Sequence, residues 1–301
     1  MKNTIILFTV TLFSCALQAQ TTAFTVLAAK GSALSQRADN PDNYINLKTG
    51  TEIFSGDKII ISDSKTYLGI VDGKGNTMEL KKAGVYNSDE LLKALEMSKG
   101  TLAQKYIDYL VKDMTKESEA AAHNMSVTGA VDRSTDRSQI NIFVPNGLEA
   151  YQGNAAIKWL GLENAEAYEI VFLNMFDEVI LKEKTTEAMW SGDLSKLKTE
   201  PGDPVKVRVN VVGESDASSK PIAIQMTKQS KRSMVKEEAP ADVQNQEGNS
   251  AVSNLVVGAY YQKHGLHMNA LYYFHKARTA APGVEAYEKA YNNLLYVMGM
   301  Q

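Results

Sequence analysis

The stretch that decides the C-terminal part of the fold is Val257–Pro282, which reads VGAYYQKHGLHMNALYYFHKARTAAP. Small and aromatic residues recur along it at helical spacing. Gly258 and Ala270 are small enough to let two antiparallel helices cross closely, and Tyr261 and Phe274 are large enough to fill the space around that crossing. The pattern therefore predicts a helical hairpin.

The limits of this hairpin are also marked in the sequence. Gly265 permits the turn between the helices, because glycine adopts backbone conformations that other residues avoid. Pro282 ends the second helix, since proline has no backbone N–H to donate. In composition and spacing the stretch resembles a tetratricopeptide repeat. The structural positions of the repeat are Gly258, Tyr261, Ala270, Phe274, Ala277 and Pro282.

A third helix is predicted after the hairpin, and the unit then covers residues 250–301. Its apolar stripe consists of Val284, Tyr287, Tyr291, Leu294, Leu295 and Met298. Stacked repeats normally need about three units to bury their faces. A single hairpin must therefore dock on the third helix, on neighbouring domains or on a partner.

The C-terminal unit carries more tyrosines than the core of one small hairpin needs. Tyrosine is favoured at interfaces because it buries a large area while keeping a polar end. We therefore predict a partner-binding surface at Tyr260, Tyr272, Tyr273 and Tyr287. The alternative is that these side chains pack inside the three-helix unit and against the preceding domain.

Upstream of the helices, residues 229–249 are polar, contain proline and lack apolar periodicity, so they are predicted to be a linker. Residues 148–228 contain short apolar runs separated by turn signals, which is typical of a β-sandwich. Trp159, Tyr168 and the strand Val205–Val209 resemble a fibronectin type III or related immunoglobulin-like domain.

That resemblance implies that an early-strand tryptophan packs against the facing sheet. Trp159 is accordingly expected in the core, which leaves Trp190 as the one tryptophan free to stack on a ligand. Sandwiches often accompany cell-wall work, so a carbohydrate-binding role stays open alongside protein binding.

Residues 21–86 show a second β pattern, with alternating apolar residues separated by glycine and aspartate turns. The pattern resembles the FecR-like domain, a compact and mostly β module of bacterial envelopes. The residues that carry the resemblance are Leu47, Gly50, Ile53, Gly56, Asp57, Ile59, Leu68, Asp72, Gly73 and Leu80. FecR proteins relay a signal across the inner membrane, so the resemblance also implies a regulatory alternative.

Between the two β patterns the sequence changes to helical spacing. Residues 87–126 are predicted to form a pair of helices, the first capped by Asn87-Ser88-Asp89, and residues 127–147 are predicted to be a connector. The predicted architecture is thus α+β and multidomain, with a small FecR-like domain, a helical pair, an immunoglobulin-like sandwich and C-terminal helices.

The first twenty residues read as a secretory signal peptide. A positive Lys2 precedes the apolar run Ile5–Phe13, which is followed by small residues ending at Ala19. The run is too short to cross a bilayer, which takes about 20 residues. We therefore expect export across the inner membrane to the periplasm or outer membrane, with membrane attachment only if Cys15 is lipidated.

The sequence also argues against nucleic-acid binding, a metal site and a phosphate-binding loop. The formal net charge of −3 argues against a nucleic-acid binder. His264 and His267 could present two metal ligands, but zinc sites usually need three or four, so no metal is predicted. Gly69–Lys74 has only three residues between its glycines and is interpreted as a hairpin turn, not a phosphate loop.

No nucleophile, base and orienting group can be assembled from the chain, so no enzyme activity, catalytic residue or cofactor is predicted. The favoured interpretation is a non-catalytic exported envelope protein that acts as a protein-binding scaffold through its tetratricopeptide and β-sandwich domains. The alternatives are a FecR-type envelope signalling component and a cell-wall carbohydrate-binding protein.

Overall fold

The computed structural model describes residues 21–96, 110–112, 140–143, 148–214, 217–239 and 250–299. The predicted signal peptide, most of the predicted second helix and most of the connector lie outside the described residues. The protein is α+β, with mainly antiparallel sheets followed by C-terminal helices. The predicted fold class is therefore confirmed.

The N-terminal unit consists of eight strands in two four-stranded antiparallel sheets, followed by a helix. The strands are β1 Thr22–Lys30, β2 Ala33–Gln36, β3 Tyr44–Asn46, β4 Glu52–Phe54, β5 Lys58–Ile61, β6 Tyr67–Asp72, β7 Thr77–Leu80 and β8 Gly84–Asn87, and the helix is α1 Ser88–Glu96. The strand orders are β4-β1-β6-β7 and β3-β2-β5-β8. Apolar side chains of both sheets form one core, as the alternating pattern predicts.

The glycine–aspartate pair in this unit does more than turn the chain. Gly56 has a φ of +83°, which favours glycine. The buried carboxylate of Asp57 accepts hydrogen bonds from the backbone N–H groups of Ala38 and Phe54 and from the guanidinium of Arg37, which lies 2.7 Å away. Asp57 therefore cross-links two turns through a buried charge that is fully hydrogen-bonded.

Two local predictions in this unit are confirmed. The side chain of Asn87 accepts hydrogen bonds from the N–H groups of Asp89 and Glu90, so it caps α1. The segment that superficially resembles a phosphate loop is the β6–β7 turn, in which Asp72 accepts from the N–H groups of Lys74 and Asn76. The side chain of Asp72 therefore stabilises the turn through these hydrogen bonds.

The middle unit is a sandwich of a five-stranded and a two-stranded sheet. Its strands are β9 Glu149–Ala150, β10 Asn154–Lys158, β11 Tyr168–Leu173, β12 Val179–Thr185, β13 Met189–Asp193, β14 Pro204–Val211 and β15 Ile222–Met226, with a 3₁₀ helix at Leu194–Leu197. The orders are β12-β11-β14-β15-β9 and β10-β13. β10 and β13 pair with each other and lie opposite the sheet that contains β11, β14 and β15, which is the immunoglobulin-like arrangement.

The two tryptophans both lie inside the sandwich. Trp159 is buried and meets Tyr168 edge to face at 5.3 Å, as predicted. The prediction that Trp190 is free to stack is wrong: it is 2% exposed, packs on Phe172, and donates its indole N–H to Glu183 at 2.7 Å. The pairing of β13 with β10 turns Trp190 towards the core, so neither tryptophan can stack on a sugar.

Parts of the predicted connector and linker belong to folded units. Ile140 is buried and bridges Ser219, while Ile142 pairs with Trp159, so the end of the connector joins the sandwich. Residues 229–237 of the predicted linker form a helix, α2 Gln229–Glu237, that buries Val235. One buried side chain suffices to hold α2 in place because a neighbouring unit covers only a narrow face of the helix. Since its other residues are polar, the apolar pattern does not reveal the helix.

The C-terminal unit contains three consecutive helices, α3 Ala251–Lys263, α4 His267–Ala280 and α5 Glu285–Val297. The side chain of Ser250 caps α3 by accepting a hydrogen bond from Ser253 N–H. Residues 251–261 are buried on every side of α3. The helix is not amphipathic because α4, α5 and the N-terminal β6 and β7 surround it.

The close helix crossing predicted at Gly258 is confirmed. A Cβ atom on Gly258 would lie 2.4 Å from the Cδ1 atom of Phe274, so no larger residue fits without movement. Ala270, Phe274 and Ala277 are buried with Tyr261 in the same core. Gly265 takes a φ of +71° in the turn, and α4 ends two residues before Pro282. The hairpin is present as predicted.

The helices dock on both β units. Their core includes Leu27, Tyr67 and Val71 from the N-terminal sheets and Ala156 and Met189 from the sandwich. Of the three ways in which a single hairpin could cover its faces, the structure uses the third helix and both neighbouring units. The helical unit thus lies between two β units and joins them.

Candidate binding surfaces

The predicted partner-binding tyrosines do not form a free surface. Tyr260, Tyr273 and Tyr287 are at most 2% exposed, and Tyr272 is partly buried against the same core. The prediction is wrong because the two β units cover the faces that an isolated hairpin would leave open. Tyr287 contacts Tyr67 of the N-terminal unit, and Tyr260 donates a hydrogen bond to the carbonyl of Val235 in α2.

A buried polar contact joins the N-terminal unit to the helices. The hydroxyl of Tyr67 lies 2.6 Å from that of Tyr287 and donates to Glu79, which also accepts a hydrogen bond from Val252 N–H. Burial raises the pKa of both tyrosines. Burial opposes ionisation of Glu79 as well, but hydrogen bonds from Lys81 and Tyr67 outweigh it and lower the pKa of that carboxyl.

A second buried contact joins the sandwich to α4. The side chain of Asn269 accepts a hydrogen bond from Tyr151 N–H at 2.9 Å and donates to the carbonyls of Tyr151 and Asn154 at 3.0 and 2.9 Å. Asn269 is 1% exposed. One amide therefore satisfies three backbone groups of the neighbouring unit, which fixes the position of the sandwich on the helices.

Two histidines lie near the hairpin turn, His264 at the end of α3 and His267 at the start of α4. Burial, and then the charge of Lys231, lowers the pKa of His267. The ring of His264 lies 4.7 Å from that of Tyr260. Among the described residues, no group of three or more His, Cys, Asp or Glu side chains is arranged to hold a metal ion. His123 lies outside the described residues.

A different surface carries exposed apolar side chains, the β11–β12 turn, which we define as residues 174–179. Phe176 is 84% exposed, and Met175 and Val179 are each 53% exposed. Apolar residues in a two-strand turn are unusual, since turns are normally built from glycine, proline, asparagine, aspartate and serine. This Met-Phe pair between Asn174 and Asp177 is the sequence signal that pattern analysis missed.

The β11–β12 turn is held in one shape. The side chain of Asn174 accepts hydrogen bonds from Phe176 N–H at 2.9 Å and Glu178 N–H at 3.0 Å. Asp177 has a φ of +63°, which costs a residue with a Cβ about 1–2 kcal/mol. Its carboxylate pairs with Lys206 at 2.8 Å. Phe176 therefore projects from a rigid turn and not from a loose loop.

A cleft of about 630 Å³ lies between the N-terminal unit and the start of α5, and we call it the basic cleft. Lys30, Lys48 and Lys289 line it, with Glu285 as an acidic neighbour. Lys30 donates to the carbonyl of Pro282 at 2.9 Å, and Lys289 pairs with Glu285 at 2.8 Å. Three lysines thus line a space that is large enough to hold a small molecule.

Comparisons with known proteins do not assign a family. No family model and no curated protein matches the chain. The fibronectin(III)-like modules of CbhA from Clostridium thermocellum share 10% identity over 71% of this chain and 82% of theirs, with a TM-score of 0.22. The chicken CNTN1 FN1–FN3 domains share 9% over 69% and 57%, with a TM-score of 0.22.

A β-1,2-glucanase from Parabacteroides distasonis shares 16% identity over 47% of this chain and 24% of the glucanase, with a TM-score of 0.24. At such scores the sandwich assignment follows from the strand order described above and not from these similarities. None of the helices in the described part of the chain combines the length and apolar character needed to cross a membrane.

Proposed function

We propose that this protein is an exported, non-catalytic scaffold of the bacterial envelope that binds a protein partner through the β11–β12 turn. The observation that carries the proposal is the 84% exposure of Phe176 on a turn whose backbone is held by Asn174. Aromatic anchors that fill a pocket on the partner account for much of the affinity of protein interfaces. A rigid turn also avoids the entropy cost of ordering a loop on binding.

The scaffold role is supported by the way the units are joined. The buried contacts of Asn269 and of Tyr67 with Tyr287 tie both β units to the helices. A body built in this way can hold a contact site at a constant distance from the rest of the molecule.

The side chains of the turn indicate what kind of surface the partner should present. Phe176 and Met175 call for an apolar pocket, because the gain on binding comes from removing their surface from water. Asp177 and Glu178 are exposed beside them. The rim of the partner's pocket is therefore expected to carry basic groups, which favour association and orient it.

Export, the FecR-like assignment of residues 21–86 and the tetratricopeptide assignment of the hairpin remain part of the proposal. They are supported by the order of charged, apolar and small residues in 1–20, by Gly56-Asp57 in its turn, and by the helix crossing at Gly258. Cell fractionation tests export directly: recovery of the chain in the cytoplasm, with residues 1–20 still attached, would contradict it.

The partner contact is tested by photo-crosslinking in living cells. A photoreactive amino acid replaces Phe176 in one strain and, as a control of similar exposure on the N-terminal unit, Val85 in another. We expect a discrete crosslinked product from position 176 and a different pattern or none from position 85. Identical products from both positions, or no product at 176, would refute the turn as the contact site.

A further inference from the structure

We propose a second, separate site: the basic cleft binds the phosphate group of a small ligand. The cleft lies on the boundary between the N-terminal unit and α5, whereas the β11–β12 turn belongs to the sandwich. The proposal goes beyond the scaffold function and depends on other residues.

The first step is charge. The side chains of Lys30, Lys48 and Lys289 bring three positive charges to one cleft, against one carboxylate from Glu285, in a chain whose formal net charge is −3. A local excess of one sign in a concave site concentrates ligands of the opposite sign. Lysine acts as a point charge and suits phosphate, which presents oxygens in several directions.

The second step is a set of backbone donors. Val284 precedes α5 and provides no side-chain cap. The first N–H groups of a helix have no partner within the helix, and the N–H groups of Glu285 and Ala286 have no hydrogen-bond acceptor among the described residues. Both residues line the cleft. The start of a helix favours phosphate through these donors and through its dipole.

The third step is the placement of Lys30. Its ammonium is anchored on the carbonyl of Pro282 and passes beside Gly283, where an added Cβ would lie only 3.1 Å from Nζ. Gly283 has a φ of +73°, so glycine suits both the backbone and the space. The loop before α5 therefore brings a lysine from the other unit to the helix start.

Glu285 then acts as the internal counter-ion. Its side chain is 77% exposed and pairs with Lys289, so it can rotate into water when an anion enters. Removing its charge is expected to strengthen anion binding severalfold, because the ligand no longer competes with a carboxylate for Lys289.

The size of the cleft indicates more than a free ion. Its volume of about 630 Å³ falls within the range of roughly 300–1,000 Å³ typical of small-molecule sites. The polar lining, with Asn46 and Thr49 beside the lysines, suits a hydroxylated body attached to the phosphate. We therefore expect a ligand of the size of a sugar phosphate.

The test is titration of the purified mature chain with glucose 6-phosphate, followed by calorimetry and by amide shifts in NMR. We expect one saturable site per chain, weakening as sodium chloride is raised, with the largest shifts at Gly283, Glu285 and Ala286. Lys48→Gln combined with Lys289→Gln should weaken binding at least tenfold, and Glu285→Gln should strengthen it. Lys184→Gln, an exposed lysine of the sandwich, is the matched control and should change nothing.

Three further probes make the result decisive. Glucose and citrate should not bind saturably, and equal binding of citrate would overturn the phosphate assignment. Vesicles containing phosphatidylglycerol distinguish the source: binding to them that is lost in the same lysine variants would assign the phosphate to a lipid headgroup. Absence of binding to both glucose 6-phosphate and the vesicles would overturn the site. An equal loss of binding in Lys184→Gln would overturn it as well. Phe176→Ala should leave every one of these results unchanged.

Discussion

The C-terminal helices and the β11–β12 turn both carry aromatic side chains, yet they place them oppositely. Tyr260, Tyr273 and Tyr287 lie in a core shared with two β units, while Phe176 faces solvent. Abundance of aromatics in the helices pointed to a contact surface, and a single Met-Phe pair in a turn did not. The difference teaches that exposure depends on what docks on a segment, which composition does not state.

The largest difference in stability between the two regions is expected when one phenylalanine is removed from each. Phe274→Ala should lower the free energy of unfolding by about 3–5 kcal/mol, because it leaves a cavity beside Gly258 in the helix crossing. Phe176→Ala should change it by less than about 0.5 kcal/mol, since an exposed side chain loses little packing. Urea unfolding of both variants measures the difference. Equal losses would mean that the turn is packed in solution.

The second test concerns the contact that fixes the sandwich on the helices. Asn269→Ala removes the partner of three backbone groups and should destabilise the protein by about 1–3 kcal/mol. Hydrogen exchange should accelerate at Tyr151, whose N–H loses its acceptor. The exposed Asn46→Ala serves as control. Unchanged exchange at Tyr151 would show that the two units do not depend on this amide.

The third test uses pH at the other junction. Because hydrogen bonds to its ionised form lower the pKa of Glu79 below the ordinary value of 4.5, this group stabilises the fold above that pH. The stabilisation is lost as the pH falls through the lowered value. Thermal melts from pH 7 to pH 3 should therefore show a smaller acid loss in Glu79→Gln than in the unaltered chain. An identical loss of stability in both proteins would show that Glu79 does not stabilise this junction.

The fourth test removes the side chain that holds the backbone of the turn, and only a small effect on stability is expected. Asn174→Ala removes the acceptor of two N–H groups in an exposed turn, and should cost about 0.5–1.5 kcal/mol. Crosslinking from position 176 should nevertheless fall clearly, because the rigid presentation of the side chain is lost. Full crosslinking in this variant would show that the partner tolerates a mobile turn.

Local features were predictable wherever neighbouring residues in the chain determine them. The cap at Asn87, the turn at Asp72 and the small residue at Gly258 each follow from interactions within a few residues or within one hairpin. The helix of residues 229–237 was not predictable as a folded segment. Its one buried side chain, Val235, gains its environment from a helix that begins more than a dozen residues later.

The candidate sites show the same limit. The basic cleft brings Lys30 and Lys48 together with Lys289, which lies more than 200 residues away in the chain, so no local pattern contains it. The β11–β12 turn did leave a local sign in its apolar pair, but only the fold shows that nothing in the described part of the chain covers Phe176.

By itself, the sequence determined the α+β class, the periodicity of each strand and helix, and the hairpin with its close crossing, because these depend on steric limits and apolar spacing along the chain. Only the tertiary structure decided that the helices lie between two β units, that Trp190 and the tyrosines are buried, and that Phe176 is not. Burial is a relation between distant segments. It is settled by how their surfaces fit once they fold, and a linear pattern does not hold that information.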